Sequence, residues 1–309
     1  MPLLPFAALR RIGPQPLVVP LYHLVTPTGQ PAPAHVRALY PVRDERQFEQ
    51  DLDFLLRHYT PVALADLRAP ARSGALGARP SFHLTFDDGL RPCADLIAPL
   101  LRRRGIPATF FLNPDFLDNQ GLMFRYQAAL LATADPSRAA AYLATPYERR
   151  SELTAHAAAR GLDFAAYLRA ERPYMTTDQV RGLLATGFTI GAHSFDHPLY
   201  TPLPLAEQVR QTLGSLDALR ARFGPGAPAA FAFPFTDDGV SQAFFAAVRA
   251  REPDLLTFGT AGLKTDTVPG HWQRVPLEKS SASARTQLTT ETLAYLAKRA
   301  LGRHQVPRT

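Results

Sequence analysis

The chain has 309 residues, 46% hydrophobic and 20% charged, a globular composition with material for a large core; no apolar run reaches the ~20 residues of a membrane-spanning helix. A net charge of +7 invites a nucleic-acid reading, but of 34 basic residues only Lys264, Lys279 and Lys298 are lysines and Ala and Pro are abundant, so no nucleic-acid partner is expected. The one cysteine, Cys93, excludes an intrachain disulfide; it shares helical spacing with Leu96, Ile97, Leu100 and Leu101 and reads as core.

The opening MPLLPFAALRR carries its charges after its apolar stretch and shows no small-residue cleavage site, unlike a secretory signal. A cytoplasmic protein is therefore expected. The opening segment itself reads either as a frayed terminus or as a peripheral membrane contact. PLVVPLYH (16–23) is a buried strand by its Val and Leu content, and Phe48, Leu52, Leu55 and Leu56 mark a helical face. SFHLTF (81–86) is strand-like. A helix over 91–104 follows, with Pro92 in its first turn and Gly105 as its stop. ATFFLN (108–113) is the next strand.

Residues 119–174 break this rhythm with helix-like segments around Tyr126, Leu130, Leu131, Phe164, Tyr167 and Leu168, and read as a helical insertion. Thr176 and Gln179 form a capping box, and the strand FTIGAH (188–193) comes next. Leu205, Val209, Leu213, Leu216, Leu219 and Phe223 predict a long helix stopped by Gly224. AAFAFPF (229–235), a helix over 241–250, LLTFG (255–259), WQRVPLE (272–278) and a closing helix near 289–301 complete the chain. Repeated strand–helix–strand order implies parallel strands with helical crossovers, and seven or eight such strands predict a (β/α) barrel.

Functional groups of parallel α/β folds collect at the C-terminal ends of strands. Asp87 and Asp88 stand there in TFDDG, His193 and His197 in HSFDHP, His23 at the end of PLVVPLYH, and Phe235 after FAFP, while Arg274 lies on WQRVPLE. Two imidazoles and a carboxylate suit a zinc-like site with an open position for water, and Mn, Fe, Co or Ni share that ligand set. Successive residues at a strand end point in different directions, so one Asp can ligate while the other faces the water. A second acidic pair, Asp237 and Asp238, precedes a helical face and reads as a helix cap.

These motifs resemble the polysaccharide deacetylases of carbohydrate esterase family 4. Thr85 to Gly89 matches T-F-D-D-G, and His193, Ser194 and His197 match H-[ST]-x-x-H. The resemblance implies a distorted (β/α)7 barrel, one catalytic domain over 1–309 with the insertion at 119–174 inside it, and one divalent metal ion, zinc first. It also implies hydrolysis of the N-acetyl group of an amino sugar or glycan. By resemblance Asp87 is the general base, and Asp88, His193 and His197 hold the metal. The third family motif, R-x-P-[FY], is here Ala232-Phe233-Pro234-Phe235 and lacks its Arg, so Arg274 is the candidate replacement. The final His motif is absent from its usual place. PLYHLV is similar to the version that some members carry first, which makes His23 the candidate general acid and His271 the runner-up. Phe235, Pro234, Tyr22 and Trp272 are candidate sugar contacts. A cytoplasmic enzyme points to a precursor such as a lipid-linked or nucleotide-linked amino sugar. The alternatives are a catalytically impaired carbohydrate-binding relative and a metal-dependent esterase or amidase acting on a non-sugar acyl group.

Overall fold

A computed structural model of the chain describes residues 6, 8–9, 17–68, 80–225, 227–228 and 230–309. Eight short strands form its main sheet: β1 Pro20–Tyr22, β2 Leu84–Phe86, β3 Ala108–Leu112, β4 Thr189–Ala192, β5 Ala230–Ala232, β6 Leu256–Gly259, β7 His271–Gln273 and β8 Val275–Pro276. Their spatial order is β7-β6-β5-β4-β3-β2-β1-β8, with every neighbouring pair parallel. β7 and β8 are separated in sequence by Arg274 alone, so one run of chain pairs with β6 on one side and β1 on the other. The sheet closes there into the seven-stave barrel that the resemblance implies.

The staves are short and apolar because both faces are covered. All five residues of β3 are buried, and Phe86, Phe110, Phe111 and Phe231 are each 0–1% exposed. Each such ring contributes on the order of 2 kcal/mol by leaving water. Gly191 is needed for this packing, since a Cβ there would run into the Phe111 ring. Outside the barrel, helix Glu45–His58 opens with a capping box, Asp44 accepting from the Gln47 N–H, and buries Phe48, Leu52 and Leu55. The Thr176–Gln179 capping box forms as its sequence predicts.

Several boundaries differ from the sequence reading. The 16–23 run breaks at Val19: Leu17–Val18 leaves the barrel and pairs with Ser81–Phe82, which also pairs with Thr60–Pro61. The strand after His83 is correspondingly short, and WQRVPLE splits at Arg274. The closing helix starts earlier, at Ala284, behind the Ser283 cap. The membrane contact considered for the opening segment falls mostly outside the described residues; of those described there, Phe6 packs in the core against Phe54, His58 and Tyr59.

No barrel strand lies between β3 and β4. That stretch carries the helices Phe124–Ala134, Ala139–Leu143, Ser151–Ala158 and Phe164–Glu171, which bury Tyr126, Leu131, Tyr142, Leu153 and Leu168 in a cluster of their own. The cluster also takes in Leu24, Val36 and Leu90, which tie it to the rim of the barrel. No helix among the described residues is long and apolar enough to cross a membrane.

Candidate active site

The strands stop where their side chains turn polar. After β2, Asp88 and Gly89 take left-handed backbone angles, φ +69° and +63°. After β4, Ser194 and His197 do the same (φ +63° and +64°), and after β5 so does Phe235 (φ +57°). Four of the seven described non-glycine residues with positive φ therefore sit on one rim. Such residues cost on the order of 1 kcal/mol each and concentrate where function needs them. The His193–His197 turn is held by Ser194 Oγ, which accepts from the His197 N–H at 3.1 Å, and by the Asn113 side-chain amide, which donates to the carbonyls of His193 and Ser194.

These turns bring together three ligand-type residues. Asp88 Oδ1 lies 3.3 Å from His197 Nε2 and 3.6 Å from His193 Nε2, and the three donor atoms are all within 4.8 Å of one another. His193 Nδ1 is 2.8 Å from the Ala232 carbonyl. The ring donates its Nδ1 proton to that acceptor, which leaves the Nε2 lone pair on the carboxylate side. Burial pulls the His193 pKa down to about 4, against the opposing charge of Asp87, so the ring is neutral at neutral pH. Burial alone would raise the Asp88 pKa, but His197, ahead of His23 and His193, holds it well below the carboxylate range. Asp88 Oδ1 and His197 Nδ1 are buried without a hydrogen-bond partner. An orphaned carboxylate oxygen beside two imidazoles fits a divalent transition-metal ion.

The neighbouring carboxylate is engaged differently. Arg274, fully buried, donates from Nη1 to Asp87 Oδ1 at 2.7 Å and from Nε to the Gly259 carbonyl at 3.1 Å. Burial pushes the Asp87 pKa up, and the charge and hydrogen bond of Arg274, together with His193, outweigh it and keep the group ionised. The guanidinium thus reaches Asp87 from the opposite side of the barrel seam, from the position where β7 gives way to β8.

His23 faces the same cavity, its ring Nδ1 and its own N–H each 2.8 Å from Glu278 Oε2. Burial opposes the charged ring, but the Glu278 hydrogen bond and the charges of Asp88, Glu278 and Asp87 lift its pKa to about 9. The Tyr40 ring lies against it, centroids 4.8 Å apart at 31°. The cavity holds about 280 Å³ and is lined by His23, Asp87, Asp88, His193, His197 and Phe235, with Tyr40, Met123 and Arg125 on its wall. Phe235 is 42% exposed.

Three candidate sugar contacts fall elsewhere. Tyr22 is fully buried among Phe48 and Phe86, and its hydroxyl donates to Asp51, because its side chain alternates to the outer face of the stave. Trp272 lines a separate cavity beside Leu17 and Val19. Pro234 is buried and does not line the cavity that His23 and Asp88 share. The runner-up acid His271 is enclosed, bonded to Thr257 and Asp237. Asp237 is no helix cap either: Ser241 caps the following helix, while Asp237 is buried in a network with His271, Gln273 and Arg308. His83 is structural, bonded to Val62 and Thr109. The sequence reading missed Glu278, Tyr40 and Tyr126. Glu278 had a legible signal, since it alternates with Arg274 and Pro276 along one strand; the two tyrosines had none.

Comparison with known proteins gives the same direction. The sequence model described as "Polysaccharide deacetylase" matches residues 77–249, a span that includes both acidic and histidine motifs but not His23, Arg274 or Glu278. A chitooligosaccharide deacetylase of Rhizobium leguminosarum bv. phaseoli is 36% identical over 70 residues, 22% of this chain and 30% of that protein. The chain thus matches under a third of that relative's length. Among solved structures, the Streptococcus pyogenes deacetylase PplD in complex with acetate superposes with a TM-score of 0.59 at 14% identity, covering 89% of this chain and 97% of that one. IcaB from Ammonifex degensii gives 0.56 at 18% identity, covering 89% and 96%. The de-N-acetylase from Aggregatibacter actinomycetemcomitans gives 0.57 at 16%, covering 88% and 99%. At such identities the likeness is one of fold. The family match spans more than half of the sequence, and the chain belongs to the polysaccharide deacetylase family.

Proposed function

We propose that the protein is a metal-dependent hydrolase that removes an N-acetyl group from an amino sugar or glycan. The observation that carries this reading is the division of labour between the adjacent carboxylates: Asp87 is paired with Arg274 and Asp88 leaves an unpartnered oxygen beside His193 and His197. Asp88, His193 and His197 would hold one divalent ion, zinc first, with Mn, Fe, Co and Ni served by the same donors. When bound, such an ion acidifies water and polarises a carbonyl.

The chain's own groups divide the remaining work. Asp87, ionised, takes the proton of the attacking water, and Arg274 fixes which carboxylate oxygen is free to do so. His23, protonated at neutral pH through Glu278, donates a proton to the departing amine nitrogen, which is a poor leaving group otherwise. The Phe235 N–H is the backbone donor we assign to the acetyl oxygen, and the exposed Phe235 ring offers a face to a sugar. The engaged Arg274–Asp87 pair favours this reading over a catalytically impaired relative.

The substrate class is drawn from the cavity wall. Arg125 has no carboxylate partner among the described residues; its guanidinium donates to the Leu143 carbonyl, and burial lowers its pKa. A cation in that position favours an acetamide carried next to an acidic group, as in lipid-linked or nucleotide-linked amino sugars. The test is metal analysis of the purified protein together with amine release from neutral and phosphorylated N-acetylated sugars. Metal-dependent release supports the proposal. A metal-loaded protein that cleaves only acyl esters or non-sugar amides points to the alternative hydrolase, and one that binds glycan without turnover points to the impaired relative.

A further inference from the structure

Tyr126 belongs to the helix Phe124–Ala134, in the stretch between β3 and β4 that contributes no strand to the barrel. It is fully buried, and its hydroxyl donates to Asp88 Oδ2 at 2.5 Å. The ring is fixed in turn: His35 lies edge-on at 4.9 Å, Tyr174 stacks at 6.3 Å, and the Tyr40 hydroxyl is 3.1 Å from that of Tyr126. The two oxygens of Asp88 therefore live in different surroundings. Oδ2 takes a short hydrogen bond from a rigid donor, while Oδ1 has no hydrogen-bond partner and faces the two histidines.

We propose that Tyr126 is a positioning residue that locks the Asp88 carboxylate so that Oδ1 is presented to a divalent ion, making the helical stretch 119–174 a working part of the metal site. The proposal rests on the metal reading given above. A carboxylate turns about its Cβ–Cγ bond with little resistance, and a ligand that samples several orientations binds an ion less tightly than one held in place. A charge-assisted hydrogen bond to the non-ligating oxygen removes that freedom. Among the described residues the charged group that Tyr126 hydrogen-bonds is Asp88, and Tyr40 joins the two halves of the cavity. Its ring packs on His23 and its hydroxyl meets Tyr126.

The experiment titrates metal-free parent, Y126F and Y40F with Zn2+ and with Co2+, and records the cobalt absorption spectrum. Y126F removes one oxygen and keeps the ring. It is expected to bind either ion about 10–100-fold more weakly, with an altered cobalt spectrum; its metal-free melting falls through the lost buried hydrogen bond, but a loss of stability alone would leave the cobalt spectrum of the loaded protein unchanged. Y40F removes one of the contacts on Tyr126 but leaves the Tyr126–Asp88 bond and the His35 and Tyr174 ring contacts in place, and is expected to lose far less affinity than Y126F. Equal affinity and an unchanged cobalt spectrum in Y126F would overturn the proposal. A parent that binds no divalent ion would instead overturn the metal reading beneath it. A second measurement needs no variant: the buried Tyr126 hydroxyl proton of the parent, followed by NMR, is expected to shift on metal addition, and an unmoved resonance counts against the proposal.

Discussion

Asp87-Asp88-Gly89 and Asp237-Asp238-Gly239 are near copies as text, and both follow barrel strands and end in a left-handed glycine (φ +63° and +73°). Their surroundings differ in one respect that decides their chemistry. Asp237 is saturated: it accepts from the Thr260 N–H at 3.0 Å, from His271 at 3.0 Å and from Gln273 at 2.7 Å, and it is bridged by Arg308, which also pairs with Asp266. Burial would raise its pKa, yet His271, Gln273 and Arg308 hold it far below the carboxylate range. Asp238 is exposed. Asp237, Asp266 and His271 stand close enough together to hold an ion, but a guanidinium already occupies the charge balance. Asp88 has no such cation, and its Oδ1 is unpartnered. A buried carboxylate with every lone pair used is a brace; one with a lone pair left over is available to a ligand.

The comparison can be broken at several points. The largest effect is expected from the first pair: D87N should lower kcat by about 10²–10⁴-fold, the usual worth of a general base, with the fold intact by circular dichroism. D88N, or chelation of the parent, should remove activity by at least about 100-fold, and added metal should restore the chelated parent but not D88N. The second pair should behave in the opposite way. D237N strands buried positive charge and should cost about 3–5 kcal/mol of stability, seen as a lower melting temperature that chelators do not alter. A chelator-dependent melting change lost in D237N would mean that this cluster, not the first, holds an ion.

A smaller effect follows from Glu278. His23 carries its proton below its pKa, so activity should fall as pH rises through the region of 9. E278Q removes the charge, and weakens the hydrogen bond, that raise that pKa, and should move the alkaline limb of the rate profile down toward the ordinary 6.5. A bound divalent ion opposes the part of the shift that comes from Asp88 and Asp87, so the Glu278 contribution is the one that persists in the loaded enzyme. The same raised pKa stabilises the fold fully below about 6.5, and that contribution is lost as pH rises through about 9. The smallest expected change is at the cavity wall, where R125Q should cost several-fold in KM for phosphorylated sugars and leave neutral ones nearly unaffected; equal effects on both would remove the anionic-substrate reading.

The barrel and the four residues Asp87, Asp88, His193 and His197 were legible because they depend on local pattern: apolar runs, glycine stops, and polar residues just past strand ends. His23 and Arg274 were legible only as lone polar residues on strands, and their partners come from distant chain. Tyr22 misled because period-two alternation fixes that neighbours face opposite ways without saying which way His23 faces. Tyr126 marks a helix-like segment in the sequence, and it lies in a helix; nothing local reveals that its hydroxyl ends on a carboxylate 38 residues away. Asp237 resembled a cap because its partners come from distant chain: His271 lies 34 residues downstream and Arg308 71.

The seam of the barrel, where β8 pairs with β1, also sets the order in which the site can come into being during synthesis. Asp88, His193 and His197 have all emerged from the ribosome well before Arg274 and Glu278. The His23–Glu278 contact spans 255 residues and the Asp87–Arg274 contact 187. Contacts that distant carry the largest loop-closure cost and form late. A nascent chain therefore possesses the residues proposed to hold an ion before it possesses Arg274 and Glu278, the groups proposed to orient the base and charge the acid, and on that reading the capacity for turnover arrives with the final stave.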